Sequence, residues 1–258
     1  MGLARSPAIT AFYRMIAPVL DPRHAWHGLR NYPRYFAQLI HYRRMLRGAG
    51  CATAVEMFPA LHQRTSTTSF DPHYCYMGFW ATEKLRGDCV GTHVDVASQI
   101  SWVMTLAATR PVKFVDIRPF ETHLSNLTVE VGTVLAMPFA DRSVASLSCL
   151  HVVEHVGLGR YGDPLDPLGS EKAIAELARV LAPGGRLLFA LPVGRERIEF
   201  NAHRVHAPKT IIDKFGQAGL RLVTFAGVDD ARVYHPQIAP DRLAAADYAC
   251  GLFEFTRD

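Results

Sequence analysis

The sequence predicts an α/β fold: a doubly wound, mostly parallel seven-stranded sheet (Rossmann-like) with an N-terminal helical extension. Three observations carry this. Val144 to Leu150 is an apolar run too short for a helix and bounded by polar residues. Within Lys172 to Leu181, Ile174, Leu177, Ala178 and Leu181 recur at i, i+3, i+4 and i+7, one face of a helix. Pro183-Gly184-Gly185 stops that helix, and a second apolar run, Arg186 to Leu191, follows at once. Strand, loop, helix, turn and strand make a βαβ unit, and near-continuous apolar strands point to a parallel sheet covered on both faces.

A chain of 258 residues can bury a full core as one large domain or as one domain with an appendage. Apolar residues make up 49% and charged residues 20%, the balance of a soluble globular protein. No run reaches the roughly 18–20 apolar residues of a membrane-spanning helix. The first residues lack the order of a secretion signal. The cysteines (Cys51, Cys75, Cys89, Cys149, Cys250) are five, scattered and without a CxxC pair, which argues against a zinc-thiolate cluster and a disulfide framework. The expected location is a reducing cytoplasm.

Charge divides the chain. Residues 1 to 50 hold eight arginines against one acid, Asp21, although the whole chain is only +4. We therefore expect a basic helical arm over 1–62 and an α/β domain over 63–258. Helices are predicted at 8–20 and 33–47, separated by Asp21-Pro22 and by the Asn31-Tyr32-Pro33 turn. In the second, Tyr35, Leu39, Tyr42 and Leu46 repeat at helical spacing among arginines. That face suits an anionic partner (nucleic acid, anionic lipid or a sugar nucleotide) or is a helical cap with solvated arginines. No nucleic-acid module is present.

The segment 63–86 is dense in aromatics: Phe70, Asp71, His73, Tyr74, Tyr76, Phe79 and Trp80 follow a Ser/Thr cluster. Such faces with polar tips suit a lid over a flat or sugar-like ligand, or a helix capped by Ser69 or Asp71 that packs on the sheet. First and second strands are read at His93–Val96 and Lys113–Asp116. An acid ending the second strand, 21 positions after Asp95, can accept from both hydroxyls of a ribose. A helix at 208–218, a strand at 220–225 and a closing strand near 250–255 complete the chain.

Some of the wording is familiar. ELARVLAPGGRLLFALP resembles the stretch around the fifth strand of class I S-adenosylmethionine-dependent methyltransferases, and VVEHV resembles the segment after their fourth strand. The longer LHVVEHVGLGRYGDPLDP and FNAHRVHAPKTIIDKF resemble a narrower bacterial methyltransferase-like family of unknown function. The likeness spans roughly residues 64 to 230. It implies S-adenosylmethionine as cofactor, with Asp95, Ala97 and Ser98 shaping the methionine pocket, Asp116 and Ile117 at the ribose, and Thr133 and Val134 beside the adenine. His151 joins this cofactor set. Ala97 stands where that family places a glycine, and Thr133 where it places an acid. Residues 131–139 correspond to its third-strand segment.

His151, Glu154 and His155 spell H-x-x-E-H. On one helical turn the two imidazoles would share a face beside the carboxylate and could hold a divalent metal (Mg, Mn, Fe or Zn). An inverted zinc-peptidase motif has the same letters but needs a longer helix. The metal-dependent class I methyltransferases carry E-x-x-E-H here, and the likeness adds His203 as a fourth ligand, with His206 as fallback. His155, assisted by Glu154 or Asp163, would take the acceptor proton. Between them Gly157 and Pro167 span a glycine-rich loop with two Asp-Pro steps at the carboxyl end of a strand. Expected acceptor contacts are His73, Tyr74, Tyr76, Arg160, Tyr161, Asp166 and His203.

These readings converge on methyl transfer to a hydroxyl, less readily an amine, of a small, carbohydrate-like acceptor. Two alternatives remain: a methyltransferase-like scaffold without catalysis, and a metal-dependent enzyme of other chemistry using His151, Glu154, His155 and His203. A homo-oligomer is also open.

Overall fold

The computed structural model describes residues 15–16, 21–87 and 91–258. Two compact units divide at Ser69 and Phe70. In the first, α1 (Pro22–Gly48) begins at Asp21, whose Oδ1 accepts from the amides of Arg23 (2.9 Å) and His24 (3.2 Å). The helix runs straight through Pro33, so the predicted break at Asn31-Tyr32-Pro33 is absent. A proline's fixed φ is itself helical, so the helix continues through it with one ladder bond lost. The predicted helix at 8–20 lies, except for Met15 and Ile16, outside the described residues.

The second unit holds α2 (Pro72–Leu85), β1 (His93–Val96), α3 (Ile100–Ala107), β2 (Val112–Asp116), β3 (Leu127–Val131), β4 (Val144–Leu150), α4 (Gly169–Val180), β5 (Leu181–Val193), β6 (Arg197–Glu199), β7 (His203–Val205), α5 (Pro208–Gln217), β8 (Leu220–Val228), β9 (Tyr234–His235) and β10 (Ala249–Arg257). The main sheet has the order β3-β2-β1-β4-β5-β10-β8-β9. It is parallel from β3 to β5, and β10 lies antiparallel between β5 and β8. Eight strands replace the seven expected because the two-residue edge strand β9 is too short to leave a periodic signal.

Local chemistry explains the central unit. β4 buries six of its seven residues, as a strand covered on both faces must. α4 buries Ile174, Leu177 and Ala178, the face read from the sequence, and ends at Val180. Pro183-Gly184-Gly185 is not a separate turn but an irregularity inside β5, where the register against β4 shifts between Val144 and Ser146. The third strand ends where the predicted segment began, at Val131, because Gly132 to Ala136 fold into a turn closed by the Ala136 amide on the Thr133 carbonyl (3.1 Å). Asp71 caps α2, accepting from the His73 amide at 2.9 Å. Cys51, Cys75, Cys149 and Cys250 are free thiols. No described helix is long and apolar enough to cross a membrane.

Candidate functional site

Parallel strands β1, β2 and β4 deliver their carboxyl ends to one edge, and a crevice opens there. Two cavities lie side by side in it, sharing His151 and His155. The first, of about 590 Å³, is walled by Ala97, Asp116, Ile117, Thr133, Val134 and Tyr161 among others. The Ala97 amide donates to the Val115 carbonyl at 2.9 Å, which ties the β1 exit to the end of β2. Ala97 itself sits at φ +53°, the left-handed region that favours the glycine missing here. Asp116 Oδ1 accepts from the Arg118 amide at 2.7 Å, leaving Oδ2 for a ligand. Thr133 Oγ1 accepts from the Leu135 amide at 3.2 Å, which engages one lone pair and leaves its O–H free to donate.

Asp95 and Ser98, expected to shape the methionine pocket, do not themselves line the cavity. Both are buried under the β1 exit. Asp95 Oδ1 accepts from the Ser98 amide at 3.0 Å, and Oδ2 from the Ser148 hydroxyl. Ser98 Oγ accepts from the Leu150 amide at 3.0 Å. They shape the turn from beneath. Burial raises the Asp95 carboxyl to about 6 against those hydrogen bonds.

The second cavity, of about 730 Å³, is bounded by His73, Tyr74, Glu154, Arg160, His203 and Tyr248 as well as the shared histidines. His151 does not start a helical turn. It closes β4 at φ +58°, and a single 3-10 turn, Val153–His155, follows. The two imidazoles therefore do not share a helical face. His151 Nδ1 meets Glu154 Oε1 at 2.8 Å and its Nε2 meets Cys250 Sγ at 3.3 Å. His155 Nδ1–H donates to the Ala202 carbonyl at 2.7 Å, which leaves Nε2 with the lone pair, 3.7 Å from Glu154 Oε1. Glu154 is 1% exposed and its Oε2 has no hydrogen-bond partner.

Electrostatics set these groups apart. Burial works to lower His151, but the Cys250 sulfur and the Glu154 carboxylate outweigh it and hold the ring cationic above its ordinary value. Burial opposes Glu154 ionisation too, and His151 overcomes it, keeping the carboxyl low. Burial lowers His155 and His203, and takes His73 to about 4, so all three are neutral near pH 7.

The expected metal set of His151, Glu154, His155 and His203 is not assembled among the described residues: their ligand atoms do not all come within 4.8 Å of one another, and His203 Nε2 lies 3.4 Å from Glu199. His206 is buried, lines neither cavity, and its Nε2 has no hydrogen-bond partner. Three of the expected acceptor or catalytic residues lie away from the second cavity. Tyr76 lines neither cavity and stacks on Tyr234 (5.3 Å between centroids). Asp166 holds the turn before α4, accepting from the Leu168 amide at 2.9 Å and from Lys172 Nζ at 2.6 Å. Asp163 lines only the first cavity, and both its oxygens hold the loop: Oδ2 on the Gly157 amide (2.7 Å), Oδ1 on the Tyr161 amide (3.2 Å). His73, Tyr74, Arg160 and His203 do meet around the second cavity, whereas Tyr161 borders the first under the Arg118 guanidinium, 4.4 Å from the ring centre.

Sequence reading missed Arg118, Tyr248 and Cys250. Tyr248 stacks on His73 at 5.1 Å and Cys250 reaches His151 across 99 residues, a juxtaposition no local pattern announces. Asp230 places that segment, accepting from the amides of Asp247 and Tyr248 at 2.8 Å each.

Known proteins bear on the architecture. A family model described as "Caenorhabditis protein of unknown function, DUF268" matches residues 120–217, less than half of the chain. No curated protein matches in sequence. Among solved structures, the [4+2]-cyclase SpnF superposes with a TM-score of 0.54 at 14% identity, covering 81% of this chain and 90% of its own. A Galdieria sulphuraria protein provisionally assigned as a sarcosine dimethylglycine methyltransferase gives 0.53 at 15% identity, covering 70% and 85%. The fold is the Rossmann-like methyltransferase fold. One of these two proteins is a cyclase, so the fold by itself leaves the reaction open.

Proposed function

We propose that the protein transfers a methyl group from S-adenosylmethionine to a hydroxyl, less readily an amine, of a small and carbohydrate-like acceptor. The observation that carries this reading is the pair of cavities meeting at His151 and His155. One offers a strand-end carboxylate, Asp116, with an oxygen to spare for ribose hydroxyls, as a nucleoside cleft requires. The other holds an unpartnered, buried carboxylate oxygen, Glu154 Oε2, which an acceptor O–H or N–H would satisfy.

When bound, S-adenosylmethionine supplies an electrophilic methyl on a sulfonium sulfur. Ala97, Asp116, Thr133 and Val134 would hold it in the first cavity. His155, neutral and with Nε2 unprotonated, would take the acceptor's proton at the boundary between the cavities. Glu154 would orient the acceptor and steady the imidazolium so formed. Tyr74, Arg160 and His203 would supply polar contacts beside the His73 and Tyr248 rings, a combination suited to a sugar-like group.

A second reading, a scaffold without catalysis, is favoured by the Ala97 methyl at the close-approach turn and by the engaged Thr133 hydroxyl. Calorimetric titration with S-adenosylhomocysteine separates the two. Saturable binding is expected; no heat and no thermal shift at millimolar ligand would leave the scaffold. An anionic ligand for the arginine-bearing face of α1, and self-association, are further elements of this proposal, to be tested by salt-dependent binding and by sedimentation.

A further inference from the structure

We infer that His73, His151 and Cys250 form a zinc site on the wall of the second cavity, with Glu154 as its outer-sphere carboxylate. Among the described residues, this is the grouping of His, Cys, Asp and Glu whose ligand atoms all lie within 4.8 Å of one another. The three come from separate elements: the first turn of α2, the end of β4 and the start of β10. Nothing in the sequence spacing joins them; the sheet order does, by carrying β10 to the neighbourhood of β4 across β5.

The geometry suits a tetrahedral ion. His151 Nε2 and Cys250 Sγ are 3.3 Å apart, close to the edge of about 3.5 Å that bond lengths near 2.0 and 2.3 Å give at tetrahedral angles. The His73 and His151 rings lie 5.9 Å apart between centroids, 21° from parallel. His73 is half-buried near the start of α2, and its ligand nitrogen lies within 4.8 Å of the ligand atoms of His151 and Cys250. Cys250 and His151 are buried and fixed by the sheet.

The support around the ligands is that of a metal site. Glu154 Oε1 holds His151 Nδ1 at 2.8 Å, which turns Nε2 toward the sulfur, the carboxylate–histidine–metal arrangement. Two imidazoles and a thiolate select zinc over the hard oxygen-seeking cations. Three protein ligands leave a fourth position, and all of His73, His151 and Glu154 line the cavity, so that position opens on it. On binding, the Cys250 S–H and any proton on His151 Nε2 pass to solvent and two metal–ligand bonds take their place. The site stands whether or not the neighbouring cleft takes a nucleoside, so its test needs no cofactor.

Full-length untagged protein, stripped with a chelator, is titrated with Co²⁺ and then displaced with Zn²⁺. One equivalent of Co²⁺ with a thiolate charge-transfer band in the near ultraviolet is expected, erased by Zn²⁺. Cys250→Ser loses the band, His73→Asn binds at least about tenfold more weakly, and Glu154→Gln about ten- to a hundredfold more weakly. His203→Ala keeps the full titration. Should Cys250→Ser misfold, the half-buried His73→Asn, checked by near-ultraviolet circular dichroism, decides the matter. Absence of stoichiometric Co²⁺ binding overturns the site. So does an unchanged titration in folded His73→Asn, or a loss confined to His203→Ala.

Discussion

The amide of Ala97 and the carbonyl of Val115 meet at 2.9 Å, and this bond keeps an alanine at φ +53° beside the first cavity. A left-handed alanine costs about 1–2 kcal/mol, so neighbouring contacts must over-determine the turn. The bond fixes where β1 ends relative to β2 and so where Asp116 stands against it.

Replacing Ala97 separates strain from occupancy. Ala97→Gly relieves the left-handed conformation but loosens the unfolded chain, so stability should change by less than about 1 kcal/mol. Ala97→Val puts a β-branched side chain at positive φ and into the cavity wall. It should destabilise by about 2 kcal/mol and weaken S-adenosylhomocysteine at least about tenfold. Urea unfolding and calorimetry on both variants check this; equal binding by the two would remove Ala97 from the cleft.

Asp116 should behave differently. Its carboxylate accepts from the Arg118 amide in an exposed hydrogen bond at the end of β2, so Asp116→Ala should shift stability by no more than about 0.5 kcal/mol. Two charge-assisted bonds to a ribose are worth about 3 kcal/mol together, so nucleoside affinity should drop roughly a hundredfold. A variant that binds as tightly as the parent would place the ribose elsewhere.

Asp116 was legible because a strand-end acid 21 residues after Asp95 is a register statement, and parallel pairing of β1 with β2 preserves register. α4 and β4 were legible for the same reason: their periodicity is local. What escaped is non-local. The helical reading of H-x-x-E-H failed because β4 pairing continues to Leu150 and His151 turns sharply at positive φ, so side chains three and four apart no longer align. Cys250 and Tyr248 carry no motif and acquire neighbours only through the place of β10 in the sheet. Asp163 was read as assisting proton transfer and Asp166 as an acceptor contact because a carboxylate in a loop reads alike whether it serves a ligand or a backbone amide.

Two loop glycines test how tightly that loop is held. Gly157 sits at φ +78°, and a Cβ there would lie 2.2 Å from the Asp166 carbonyl oxygen, while Gly162 at φ +86° has open space around it. Gly162→Ala should therefore cost about 1 kcal/mol, the conformational strain alone, and Gly157→Ala at least about 2 kcal/mol more. Gly157 also donates to Asp163, so its variant should disturb the cleft as well. Equal losses in unfolding experiments would show that the Gly157–Asp166 approach is not a constraint.

Beneath the cleft, His93 and Asp95 share one serine and titrate in opposite senses. The Ser148 hydroxyl donates to Asp95 Oδ2, so its oxygen accepts from His93 Nε2–H at 2.8 Å, and His93 Nδ1 accepts from Ser146 at 2.7 Å. Burial lowers His93 to about 3 and raises Asp95 to about 6. As pH falls from about 6 to 4, the folded chain takes a proton on Asp95 that the unfolded chain, at 3.8, does not, and stability rises. Over the same window the unfolded chain protonates His93, ordinarily 6.5, while the folded chain does not, and stability falls. The two contributions offset each other in the parent protein. Asp95→Asn removes one of them, so its stability relative to the parent should fall by about 1.4 kcal/mol per pH unit, on the order of 3 kcal/mol between about pH 6 and 4. Urea unfolding of both proteins across that range reads the difference directly. Parallel profiles would mean that Asp95 keeps an ordinary carboxylate pKa in the fold, and that the buried turn under Ala97 is held by a charge rather than by a neutral acid.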